Sequence, residues 1–129
     1  GSGQVPTNKR ILRATLTLTT EGTGAKSAAV SSLYQLIVPF TETSTWSSLT
    51  SGIQVGTDTV ATAVASTGTL LSTEGTRSFD ITATVQAWQA GAKNHGWAVL
   101  SSGTDSWSFR SQNWSEPAER PMLTIQFEK

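Results

Sequence analysis

The strongest constraint on this chain is a period-two run near its start. Leu12, Ala14, Leu16 and Leu18 alternate with Arg13, Thr15 and Thr17, so one face of a strand is apolar and the other is polar. Val30 to Val38 reads as a second strand, more deeply buried, which Pro39 ends. The β-branched run Val60 to Ser66, then Gly75 to Ile81, Ala98 to Ser101, Ser106 to Ser111 and Leu123 to Phe127 continue the pattern. Turns of Gly, Ser, Thr, Asn and Pro separate these runs at intervals of about ten residues, the spacing of an antiparallel β-sandwich. An α/β fold does not fit.

Only residues 83 to 90 read as helix. Asp80 or Thr82 can cap it, Val85 and Trp88 lie three apart on one face, and Gly91 supplies its stop. Gly96 allows close backbone approach into the next strand, and Arg120-Pro121 opens the last one. The expected fold class is all-β, an antiparallel sandwich with one short helix.

At 129 residues the chain makes one domain. Gly1-Ser2-Gly3 looks like a cloning scar, so residues 1 to 9 read as scar and leader and residues 10 to 129 as the domain. Nine basic and nine acidic residues cancel, which leaves no electrostatic footprint for nucleic acid or an anionic membrane. No eighteen-residue apolar span is present. The absence of cysteine removes disulfides, thiolate metal sites and a cysteine nucleophile.

No catalytic constellation emerges. The single histidine, His95, lies in the turn-like segment Lys93-Asn94-His95-Gly96 with no second histidine at metal-ligand spacing. No serine occupies a G-x-S-x-G elbow. Glu42, Asp58, Asp105 and Glu116 have no spacing that opposes two of them across a cleft, and the loop carboxylates lack an EF-hand pattern, so a structural calcium is not readable. Gly22-Thr23-Gly24 lacks the lysine and strand-to-helix context of a phosphate cradle. The chain is expected not to be an enzyme and to need no cofactor.

Five tryptophans carry the remaining signal, since an indole can fill a core or stack on a sugar ring. Trp88 shares a face with Val85 and belongs to the core. Trp46, at a strand end, is expected to anchor a loop. Trp107 is in phase with Phe109, which buries both and leaves Arg110 as the exposed member of its strand. The phase of Trp97 does not decide its side. Trp114, in the polar loop Gln112 to Pro117, is the leading exposed aromatic.

Taken together, Phe40-Thr41-Glu42-Thr43-Ser44-Thr45-Trp46, Ser78-Phe79-Asp80-Ile81-Thr82, Val85-Gln86-Ala87-Trp88, Asn94-His95-Gly96-Trp97, Phe109-Arg110-Ser111 and Arg120-Pro121-Met122-Leu123 resemble the DNRLRE-type domain of bacterial exported proteins. That group includes carbohydrate-binding modules recognising alginate. The resemblance runs from about Arg10 onward and implies a jelly-roll-like sandwich, a secreted or cell-surface setting, and attachment to an enzyme or surface protein. Two departures stand out. Phe40 replaces the tryptophan common in the group, and only a short leader stands where the group has further strands ahead of the segment like Ile11 to Leu18; either the front was trimmed, or the boundary is shorter here, or another polypeptide strand completes an edge left open at Ile11 to Leu18 or a neighbouring strand.

The expected function is non-catalytic binding of an acidic polysaccharide such as alginate. Arg110, Trp114, Lys93 and Trp97 are the candidate ligand residues, with Arg13 and Arg77 as further cations. The alternative is a structural or adhesive domain of a bacterial surface or matrix protein.

Overall fold

The computed structural model describes residues 8–21, 30–69, 75–104 and 107–129. Its elements are β1 (Ile11–Thr19), β2 (Val30–Gln35), β3 (Ala65–Thr69), β4 (Thr76–Asp80), α1 (Thr82–Gln89), β5 (Trp97–Ser101) and β6 (Met122–Phe127). They form two three-stranded sheets, ordered β4-β1-β6 and β3-β2-β5, and every pairing is antiparallel. The sandwich expected from the alternation is present.

The period-two residues of β1 explain the packing. Ala14 and Leu18 are fully buried and Leu16 packs against the core. Across the sheet the inward row continues through Phe79 on one side and Ile125 and Leu123 on the other, in the register Leu16↔Phe79, Ala14↔Ile125 and Leu16↔Leu123. A register shift between Ile11 and Arg13 returns Ile11, 1% exposed, to the inner face and turns Leu12 outward. The second sheet contributes Leu33, Ala65, Val99 and Trp97 to the same core. Trp88, Trp107 and Phe109 pack against it as well.

Helix α1 closes one end of the sandwich. Asp80 begins it from just outside, its carboxylate accepting from the Thr82 amide (3.0 Å) and hydroxyl (2.7 Å). Thr82 Oγ1 in turn accepts from the Ala14 amide at 3.0 Å, and Gln86 Nε2 donates to the Ile11 carbonyl at 2.9 Å, so the helix is tied to β1 by its own polar groups. Val85 is buried and Trp88 lies with its ring centroid 4.6 Å from that of Trp97.

Several expectations shift. The third strand spans Ala65–Thr69 instead of Val60 to Ser66, because Val60 and Val64 are spent on single backbone bonds to the Gln35 and Leu33 carbonyls. The second strand ends at Gln35, and Leu36 makes only an isolated bridge to Thr59. Within Ser106 to Ser111 no strand forms among the described residues. Phe109 instead bridges Thr20, just past the end of β1. Finally, β1 is central in its sheet, so no open edge lies there; its neighbour β6 pairs only with β1 among the described residues.

Candidate ligand-binding surfaces

The sequence-predicted arginine and indole do meet, but they meet each other. Phe109 is held beside Thr20, and the flanking bonds Glu21 N to Ser108 O and Arg110 N to Thr19 O, both 2.9 Å, lay this segment along the chain just beyond β1. From there the Arg110 guanidinium lies 4.6 Å from the centroid of the Trp114 ring. The Pro117–Glu119 turn swings Glu119 under both. Glu119 forms an ion pair with Arg110 and accepts from Trp114 Nε1 at 2.8 Å, and Arg120 Nε donates to the Trp114 carbonyl at 2.7 Å.

The Arg110 side chain keeps only 20% of its accessible surface. It is therefore not the free, outward cation that strand phase suggested, because the loop that follows doubles back and supplies a counter-ion. Trp114 is half-buried with its polar handle occupied. This cluster is a structural latch. The Trp114 N–H and the Arg110 charge hold the Glu119 carboxyl below the usual carboxylate range, against an opposing desolvation.

The sign of that shift gives a prediction. A lowered folded-state value means the ionised Glu119 stabilises fully above the unfolded value, about 4.3, and that contribution is lost as pH falls through the folded value. Glu119→Gln, which keeps an acceptor for the indole, should flatten the acid limb of a Tm-against-pH curve below about pH 4.5. An unchanged acid limb would mean that Asp80 and Glu128, also lowered by their Thr82 and Arg10 partners, account for all of it.

The other two predicted residues separate. Trp97 faces inward on β5 and stacks with Trp88, so it serves the core, where neither indole N–H has a partner among the described residues. Lys93 is exposed in the turn after α1 and makes no ring contact among the described residues, while Asn94 Oδ1 accepts from the Gly96 amide at 2.9 Å to shape that turn.

Trp46, expected from its place at a strand end to anchor a loop, is the one exposed tryptophan. Trp46 is 72% exposed and Phe40 48% exposed, and with Leu49, Ile53, Leu100, Ser44 and Thr45 they line a cleft of about 340 Å³. Leu100 reaches it because Trp97 and Val99 pack inward, which turns their neighbour on β5 to the opposite face. A 3-10 turn at Ser47–Leu49 follows Trp46.

The chain then passes through three consecutive left-handed residues, Thr50, Ser51 and Gly52. The Ser51 and Gly52 amides both donate to the Trp46 carbonyl, at 3.1 and 2.9 Å. This folds the Gly52 α-carbon against the indole, where any Cβ would collide with the ring. Trp46 thus anchors its loop with one face and its carbonyl while leaving most of its surface open. Left-handed φ at a β-branched residue such as Thr50 is costly and is tolerated where the surrounding structure over-determines it. The loop-anchor role expected of Trp46 and an open indole face coexist in one residue.

A second concavity lies on the outer face of the first sheet, a depression of about 260 Å³ lined by Arg13, Thr15, Thr124 and Gln126. Here the polar half of the β1 alternation meets its β6 counterparts in the register Arg13↔Gln126 and Thr15↔Thr124. Arg13 makes no hydrogen bond or ion pair among the described residues, although its charge helps to lower Asp80. Arg77, the other candidate cation, has its guanidinium on the Thr76 carbonyl at 3.0 Å. No cluster of His, Cys, Asp or Glu suited to a metal ion occurs among the described residues. Comparison with models of known families, with curated proteins and with solved structures finds no match.

Proposed function

We propose that this chain is a non-catalytic carbohydrate-binding module whose main contact surface is the Trp46 cleft. The observation that carries the reading is the 72% exposed indole, fixed on Gly52 and lining with Phe40 a mostly apolar cleft that also carries the hydroxyls of Ser44 and Thr45. A sugar ring offers an apolar face to the indole and hydroxyls to Ser44 and Thr45, which is the division of labour an amphipathic aromatic site serves. The order of motifs resembling DNRLRE-type domains supports the same reading, and with it a place outside the cell. No cation lines the cleft among the described residues, so this surface selects ring shape and not charge.

A second reading keeps the acidic polysaccharide, such as alginate. It is favoured by Arg13, which stands in a depression with two threonines and a glutamine, an arrangement that suits a sugar carboxylate. Affinity electrophoresis in gels of a neutral glucan, alginate or pectate separates the two. Trp46→Ala should weaken retardation by about 2 kcal/mol, on the order of thirtyfold, from the loss of roughly 80 Å² of stacked indole surface at 25 cal/mol/Å². Arg13→Ala should matter only in the acidic gels, and less as salt rises. Retardation by no polymer, with the protein folded, would replace both readings with a structural or adhesive role.

A further inference from the structure

The backbone of β6 points half of its hydrogen-bonding groups away from β1, and the direction is set by bonds elsewhere in the sheet. Ile81 N donates to Ala14 O at 3.0 Å and Thr20 N to Gly75 O at 2.8 Å, so the even-numbered residues of β1 serve β4. Arg13, Thr15 and Thr17 therefore face β6, opposite Gln126, Thr124 and Met122. Glu128 N donates to Arg10 O at 2.9 Å in the same phase. It follows that the N–H and C=O groups of Leu123, Ile125 and Phe127 face the outer edge, where no strand pairs with them among the described residues.

The same three residues direct their side chains inward, in line with Ala14 and Leu16. The core covers this row incompletely: Leu123 is 46% exposed, and Ile125 and Phe127 are half-buried. An edge normally carries a proline, an inward charge or a bulge against unwanted pairing. Between Met122 and Phe127 there is none on this side, and the formal net charge of zero offers no long-range repulsion between copies.

We infer that β6 is a pairing edge and that its occupant is β6 of a second copy of this chain, antiparallel across a two-fold axis at Ile125. A strand that adds here must place apolar residues on the core side and polar ones on the outer side, at alternate positions. β6 itself has that pattern, with Leu123, Ile125 and Phe127 inward and Thr124 and Gln126 outward. With Ile125 on the axis, each Leu123 stands opposite the Phe127 of the other copy and the two half-covered rows close over each other. The two three-stranded sheets become one continuous sheet. An edge of this length buries less than the roughly 1,200 Å² of a stable interface, so the association is weak and concentration-dependent.

Sedimentation velocity across a dilution series, together with amide hydrogen exchange, tests this directly. The expected result is a dimer that grows with concentration, with the Leu123, Ile125 and Phe127 amides gaining protection in step while Thr124 and Gln126, already bonded to β1, stay unchanged. Leu123→Lys should abolish the dimer, and Met122→Lys, on the outer face of the same strand, should keep it. The inference falls if the protein is a monomer at every concentration, or if those three amides are equally protected in a dilute monomer, which would place another part of the chain on the edge. It falls as well if a folded Leu123→Lys still dimerises. The exchange pattern of the unsubstituted protein decides the matter if that variant does not fold.

Discussion

Truncation of Trp88 to alanine is expected to lower the unfolding free energy by about 3 kcal/mol, the low end of the range for emptying a large aromatic site. Two features of the site set that figure. The indole stacks on Trp97 and packs against the core that includes Val85, Ile81 and Ile11, so its removal opens a hole at the end of the sandwich which α1 cannot fill. Against this, the ring is only half-buried, and its N–H lies desolvated without a partner among the described residues, a cost that the variant no longer bears. Trp88→Phe keeps the ring contact with Trp97 and should recover most of the loss. Urea denaturation followed by circular dichroism measures both; a loss below about 1 kcal/mol would show that the helix end carries little of the stability.

Gly52→Ala is expected to have the second largest effect, and to act on function as well as on the fold. At φ +90° an L-residue is strained whatever the space around it, and the new Cβ would collide with the Trp46 ring. Together these cost about 2 to 3 kcal/mol, of which roughly 1 to 2 is backbone conformation. The indole can escape only by leaving its seat, so glycan retardation should fall as far as it does for Trp46→Ala. The double variant separates the two parts. With no ring to meet, the Cβ costs only its backbone strain, and the double variant should be more stable than the sum of the single losses predicts. Simple additivity would mean that the indole does not rest on Gly52 in solution.

The contrast between these two tryptophans shows how far local pattern reaches. Trp88 was assignable to the core from its spacing to Val85, because a helical face is a property of a short stretch of chain. The strand alternation of Leu12 to Leu18, the helix between Asp80 and Gly91, and the two-sheet architecture were legible on the same ground: periods of two and 3.6 are fixed by backbone geometry before any tertiary contact forms. So was the inward phase of Trp107 with Phe109.

What the tertiary structure alone decided concerns pairs of residues that no period connects. Arg110 was outward by phase, but the Pro117–Glu119 turn brings Glu119 onto it and onto Trp114, turning a presumed ligand pair into an internal latch. Trp46 had the sequence setting of a loop anchor. Only the left-handed turn through Thr50, Ser51 and Gly52 shows that one face anchors while the other stays in solvent beside Phe40 and Leu100. An open edge at β1 or a neighbour was expected from the resemblance, but its place at β6 was hidden, since alternation marks Leu123, Ile125 and Phe127 as inward without saying whether a strand lies beside them. Local sequence determined most of the elements and which face of each is apolar, the Ser106 to Ser111 run excepted; the loops between them determined which polar groups are already satisfied and which surfaces remain open, because those partners lie far apart in the chain and meet only when it is folded.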